Sequence, residues 1–107
     1  MMKKLMFVAL ATVLGTSVAH AGDAARGKEK SAVCAACHGA DGNAPGAAFP
    51  RIGGQHEDYL QQALHAYKKG TRKNAIMKAQ VDALSDQDMA DLSAYFAAQA
   101  GPLVTRR

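Results

Sequence analysis

Tryptophan is missing from this chain of 107 residues, and only three phenylalanines and three tyrosines provide aromatic bulk. Much of the apolar count is alanine. A core built from these side chains alone is thin for the length, so a small domain of this kind is expected to need a staple or a filler. Long alternating runs of β-branched residues are absent as well, which excludes a sheet-based fold. No internal repeat divides the chain, and one small domain is expected. Cysteine is confined to Cys34 and Cys37, so at most one disulfide is possible. A large excess of one charge sign is also lacking. Of the net +4, two charges come from Lys3 and Lys4 in the leader described next, which leaves +2 and gives no ground for a nucleic-acid partner.

The first residues, MMKKLMFVALATVLGTSVAHA, read as a secretory signal peptide. Lys3 and Lys4 open it, Leu5 to Leu14 is nearly unbroken apolar chain, and Ala19-His20-Ala21 is a small-x-small cleavage site. The alternative is a membrane anchor. The apolar run falls short of the roughly 18 residues that span a bilayer, and polar residues interrupt it from Gly15 onward. Residues 1–21 are therefore expected to be removed after Ala21, leaving 22–107 as a single periplasmic domain. An oxidising destination would ordinarily pair two cysteines.

The remainder reads as all-α, with three main helices. Asp23 can cap a first helix through AARGKEKSAVCAAC. Residues 39–54, GADGNAPGAAFPRIGG, form a loop stiffened by Pro45 and Pro50. A second helix carries Glu57 and Asp58 at its start and Lys68 and Lys69 before Gly70 at its end, which complements the helix dipole. Leu60, Ala63, Leu64 and Tyr67 make one apolar stripe along it. TRKNAIMKAQVDAL is polar and irregular, with at most a short helical turn over 78–83. The last helix has the strongest start signal. Ser85 is its N-cap, Asp88 stands in a capping-box position, and Gly101 and Pro102 lie beyond its end.

Cys34, Cys37 and His38 form C-x-x-C-H, which has three chemical readings. A thioredoxin-like redox pair needs a low-pKa thiol at a helix start after a strand, whereas here the motif ends a helical pattern. A structural zinc site needs a second ligand pair, and only His56 and His65 remain in the mature chain. A plain disulfide leaves His38 unexplained. Covalent haem attachment explains every spacing. Two thiols three residues apart share one side of a turn and can each add to a vinyl group of one porphyrin. The histidine beside them is then delivered to the iron.

With these motifs in place, the chain resembles the class I cytochromes c, the small single-haem bacterial carriers, and one half of the related dihaem cytochromes. The likeness runs over 22–107 through VCAACHGADG, FPRIGGQ and LSDQDMADLSAYFA. It implies one haem c attached through Cys34 and Cys37, with His38 as an axial ligand of the iron. It also implies N- and C-terminal helices that cross, with Gly27 allowing close approach near Leu92, Tyr95 and Phe96.

A second axial ligand has four candidates: Met77, Met89, His56 and His65. Met89 falls on the apolar stripe of the last helix and His56 at a helix start, while His65 lies beside the second stripe. Met77 stands in a polar segment where a thioether needs a burial partner, and the family places its axial methionine at this distance before the LSD helix start. The resemblance further implies that Pro50 offers its carbonyl to His38. Arg51 is a candidate partner of a haem propionate, with Arg72 and Tyr59 behind it. The expected function is one-electron transfer between redox complexes by a non-enzymatic monomer that meets its protein partners transiently. The basic run Lys68, Lys69, Arg72, Lys73 and Lys78 is placed to dock on an acidic partner, although lysines also complement helix ends. Rival readings are a haem peroxidase or gas sensor with a labile sixth position, or an electron-entry subunit of a larger dehydrogenase.

Overall fold

The computed structural model describes residues 21–103, together with 4, 6, 8, 9, 11 and 12. Apart from those positions and Ala21, the expected signal peptide lies outside the described residues. Five helices and no strands occur among the described residues. They are α1 (Ala24–Lys30), α2 (Ala32–His38), α3 (Glu57–Lys69), α4 (Ala75–Val81) and α5 (Asp86–Ala97).

Two of these boundaries differ from the sequence expectation, each for a local reason. The first expected helix is divided at Ser31, whose hydroxyl donates to the Lys28 carbonyl at 2.7 Å and competes with the helical ladder there. The segment expected to be irregular instead holds α4. Asn74 caps it, its side-chain oxygen accepting from the backbone N–H groups of Ile76 and Met77 at 3.1 and 3.0 Å. Met77 consequently sits in the first turn of a helix.

The other ends follow the sequence signals. Asp23 accepts from the Arg26 N–H to start α1. Gly70 closes α3 in the left-handed conformation, with φ 83°. Ser85 and Asp88 exchange backbone-to-side-chain bonds, both 3.0 Å, as a full capping box on α5.

Helix α1 packs across α5, and glycines permit it. A Cβ on Gly27 would stand 2.0 Å from the Asp91 carbonyl oxygen and 2.7 Å from the Tyr95 Cβ, and one on Gly22 would stand 2.1 Å from the Ala90 carbonyl oxygen. The approach at Gly27 thus centres on Asp91 and Tyr95, the residues just before Leu92 and Phe96. A buried polar cluster locks the crossing. Asp91, fully buried, accepts from the Lys30 ammonium, the Asp23 N–H and the Gln87 amide, each at 2.8 Å. Lys30 also reaches Asp88 at 2.8 Å.

The apolar core is small. Leu60, Leu92 and Phe96 form its centre, with Cys34, Ile52, Leu84 and Tyr95 partly buried around them. Much of the remaining apolar surface of α3 and α5 faces a cleft.

Candidate haem site

Residues 39–56 carry the chain from α2 back to α3, and their fold is set by two inward contacts. Ile52 and Gly53 both donate to the Gly42 carbonyl, at 2.8 and 3.0 Å. Asn43 reaches the Ala100 carbonyl with its amide at 2.7 Å, tying the loop to the far end of α5. This closed loop brings Pro50 beneath His38. The Pro50 carbonyl oxygen lies 2.7 Å from His38 Nδ1. A carbonyl can only accept, so Nδ1 donates to it, and Nε2 is the ring nitrogen left available to a metal. His38 is 8% exposed, and the ring of Phe49 stands edge-on to it at 6.5 Å between centroids.

Cys34 and Cys37 are half-buried thiols on α2, one turn apart. Burial pushes the Cys34 thiol up from its ordinary value, and the neighbouring Cys37 adds to the shift. A redox-active pair needs the opposite, a thiolate stabilised near neutral pH.

Above α2 opens a cleft of about 860 Å³, its solvent mouth included, with walls that are largely apolar. That lining is that of a site for an organic group rather than for a bare ion. Among the described residues, no cluster of three or more histidine, cysteine or acidic side chains could hold a metal by itself. Cys34 and His38 line one wall, while Leu60, Leu64, Leu92 and Phe96 line others. Ser93 also lines the cleft, and its hydroxyl is buried without a hydrogen-bond partner, as expected beside a site that a bound group or ordered water completes. Two thiols on one helical turn, a buried imidazole beside them and an apolar slot fit haem c.

Of the sequence-derived candidates, Cys37 does not itself line this cleft, although it stands one turn from Cys34 on α2. Met77, Pro50, Arg51, Arg72 and Tyr59 line it with Cys34 and His38. The other three candidate ligands do not. Met89 is fully buried in α5, His56 caps the start of α3, and His65 sits 4.0 Å from Asp86. Tyr67 and Gln55 also line the cleft. Sequence patterns gave Tyr67 only a place on an apolar stripe and Gln55 only a place in FPRIGGQ, because lining the cleft depends on how α3 packs against the rest of the fold.

A helical domain folded around an apolar slot, with Cys34 and His38 at its wall and Cys37 one turn along α2, defines a c-type haem protein. Comparisons with known proteins give the family. Residues 24–99 match the cytochrome c family, and the chain belongs to it. It is 52% identical over 99 residues to cytochrome c4 of Pseudomonas aeruginosa, covering 92% of this chain and 49% of that one. Cytochrome c-554(548) of Halomonas halodenitrificans is 43% identical over 82 residues, covering 74% of this chain and 99% of that relative. The crystal structure of reduced recombinant cytochrome c4 from Pseudomonas stutzeri superposes with a TM-score of 0.72 at 47% identity, over 76% of this chain and 47% of that one. The chain therefore spans about half the length of its cytochrome c4 relatives. Its cofactor is haem c, attached through Cys34 and Cys37.

Proposed function

We propose that the protein is a periplasmic one-electron carrier whose haem iron is held between His38 and Met77. One observation carries the reading: an imidazole with its Nδ1 proton committed to Pro50, and the methionine on α4, line the same apolar cleft. Bound haem would supply the reversible ferrous–ferric couple. The chain's own residues do the rest. Pro50 fixes the orientation of His38 and raises its basicity as a ligand. Met77 as the other ligand favours the ferrous state more than a second histidine would. With both axial positions filled by side chains, oxygen or peroxide has no open coordination site, so the protein is not an enzyme. Arg51, exposed at the cleft, is placed to pair with a propionate.

For docking, the basic run is smaller than its sequence implies. Lys68 donates to the Leu84 carbonyl, and Lys78 bonds the Lys68 carbonyl and Asp82. Arg72 is engaged with two tyrosines. Lys69 and Lys73 remain exposed, close in sequence to Ile76, which is 60% exposed. A small apolar spot with two nearby cations suits brief encounters with an acidic redox protein. Among the described residues no helix is long and apolar enough to cross a membrane. Removal of residues 1–21 as a signal peptide completes the reading.

The test is a redox-titrated visible spectrum of protein matured in the periplasm, with Met77→Ala alongside. Wild type should show the sulfur-to-iron charge-transfer band and bind carbon monoxide slowly. Met77→Ala should keep its attached haem, lose the band and titrate at a lower potential. Rapid carbon monoxide binding by ferrous wild type would sink the carrier reading in favour of a sensor or peroxidase.

A further inference from the structure

We propose that Arg72 is a positioning residue that clamps the segment leading into Met77, and so governs how readily the sixth ligand is displaced. This rests on reading Met77 as that ligand. Residues 70–74 join α3 to α4, and Met77 follows one turn later. Thr71, Arg72, Lys73 and Asn74 are all exposed, so burial does not hold this connector in place. Segments with few buried contacts open locally at low free energy. Here such an opening would carry the first turn of α4, and the thioether with it, away from the cleft.

Arg72 counters that opening at three points. Its backbone N–H donates to the Ala66 carbonyl at 3.1 Å. Its Nη1 donates to the Tyr59 hydroxyl at 3.3 Å. Its guanidinium carbon lies 4.9 Å from the centre of the Tyr67 ring. Tyr59 and Tyr67 are two turns apart on α3, and both line the cleft with Arg72 and Met77. The connector is thereby fastened to a length of α3 that forms the cleft wall, and not only to its last turn. Thr71 reaches only the Ala66 carbonyl, at 3.3 Å, and the Asn74 side chain caps its own helix. A planar, permanently charged fork can stack on one ring while donating to another residue's hydroxyl. A lysine ammonium cannot do both from the same position.

The measurement is displacement of the sixth ligand in the ferric holoprotein by imidazole, followed as loss of the charge-transfer band. Arg72→Gln should bind imidazole roughly tenfold more tightly than wild type, the scale of one cation–π contact and one exposed hydrogen bond lost together. Arg72→Lys should resemble Arg72→Gln, because charge without the fork does not restore the clamp. Tyr67→Leu should loosen the site similarly, and combining it with Arg72→Gln should add little, as expected for partners in one unit. Thermal unfolding midpoints of the two Arg72 variants, at an exposed position, should stay within a few degrees of wild type, which separates local release from global weakening. Wild-type behaviour of Arg72→Lys, or of Arg72→Gln, overturns the clamp while the band in wild type keeps Met77 as ligand. A wild type without the band that binds imidazole as tightly as Met77→Ala overturns the ligand assignment, and the clamp falls with it.

Discussion

Lys30 and Asp91, 61 residues apart, meet at 2.8 Å where α1 crosses α5, and the carboxylate end of the pair has no solvent exposure. Together with the Asp23 N–H and the Gln87 amide, this contact converts a stripe of apolar packing into a specific register between the two ends of the domain.

The pair should give the fold a defined acid limb. The Lys30 ammonium, followed by the Asp23 N–H, holds the Asp91 carboxyl down from 3.8 to about 2. A carboxylate with a lowered folded pKa contributes stability that is complete above its ordinary pKa and is lost as pH falls through the folded one. The contribution is therefore present at neutral pH and drains away between about pH 4 and pH 2. Lys30 is shifted the other way, up from 10.5, mainly by its bonds to Asp88 and Asp91, so its share persists below that value and is lost only above it. Asp91→Asn should melt roughly 5 °C or more below wild type at pH 7, and its melting temperature should fall less steeply from pH 4 to pH 2. Circular dichroism melts of the holoprotein across that range check both statements. Parallel acid limbs in the two proteins would remove Asp91 from the account.

Gly27→Ala should be among the most damaging small substitutions in the chain. The added methyl would meet the Asp91 carbonyl oxygen at 2.0 Å and its carbon at 2.6 Å, and backbone atoms cannot swing aside as a flexible side chain would. The helices must separate, at a cost of about 3 kcal/mol. Denaturant unfolding of holoprotein measures it. A loss under 1 kcal/mol, near the limit of an ordinary surface substitution, would show that the crossing has slack.

Asn43 offers a more discriminating substitution. Its amide nitrogen donates to the Ala100 carbonyl at 2.7 Å, and Gly53 and Gly101 leave room for its side chain. Asn43→Ala should cost about 1 kcal/mol, the value of one hydrogen bond with the side chain's packing against Gly53 and Gly101. Asn43→Asp keeps the shape but turns a carboxylate oxygen toward that carbonyl, so it should be worse than alanine. The order of the two melting temperatures decides it.

The legible parts of this molecule are those whose chemistry is local in the chain. C-x-x-C-H is read within five residues, the Ser85–Asp88 box within four, and Gly70 ends α3 where the charge pattern says it should. The likeness to a known family extended this to Pro50, whose carbonyl does meet His38. What escaped the sequence depends on side chains that decide between neighbouring local states or meet across the fold. Ser31 is a tolerable helix residue until its hydroxyl takes the Lys28 carbonyl. Asn74 before AIMKAQV is an N-cap signal, but it stands in a polar stretch where the apolar periodicity is weak. Arg72 reads as a cation of a basic run and a weaker propionate candidate, and only the turn after α3 shows it lying over Tyr67. Asp91 sits among apolar neighbours on α5, where nothing nearby in the sequence announces Lys30 as its partner.

The crossing of α1 with α5 has a consequence for the order of assembly. The two thiols lie near the start of the domain and the helix that completes its packing lies near the end. During synthesis, amino end first, Cys34 and Cys37 emerge well before α5 does. Thioether bonds can therefore form on a still-open chain, before the final helix packs over the cleft.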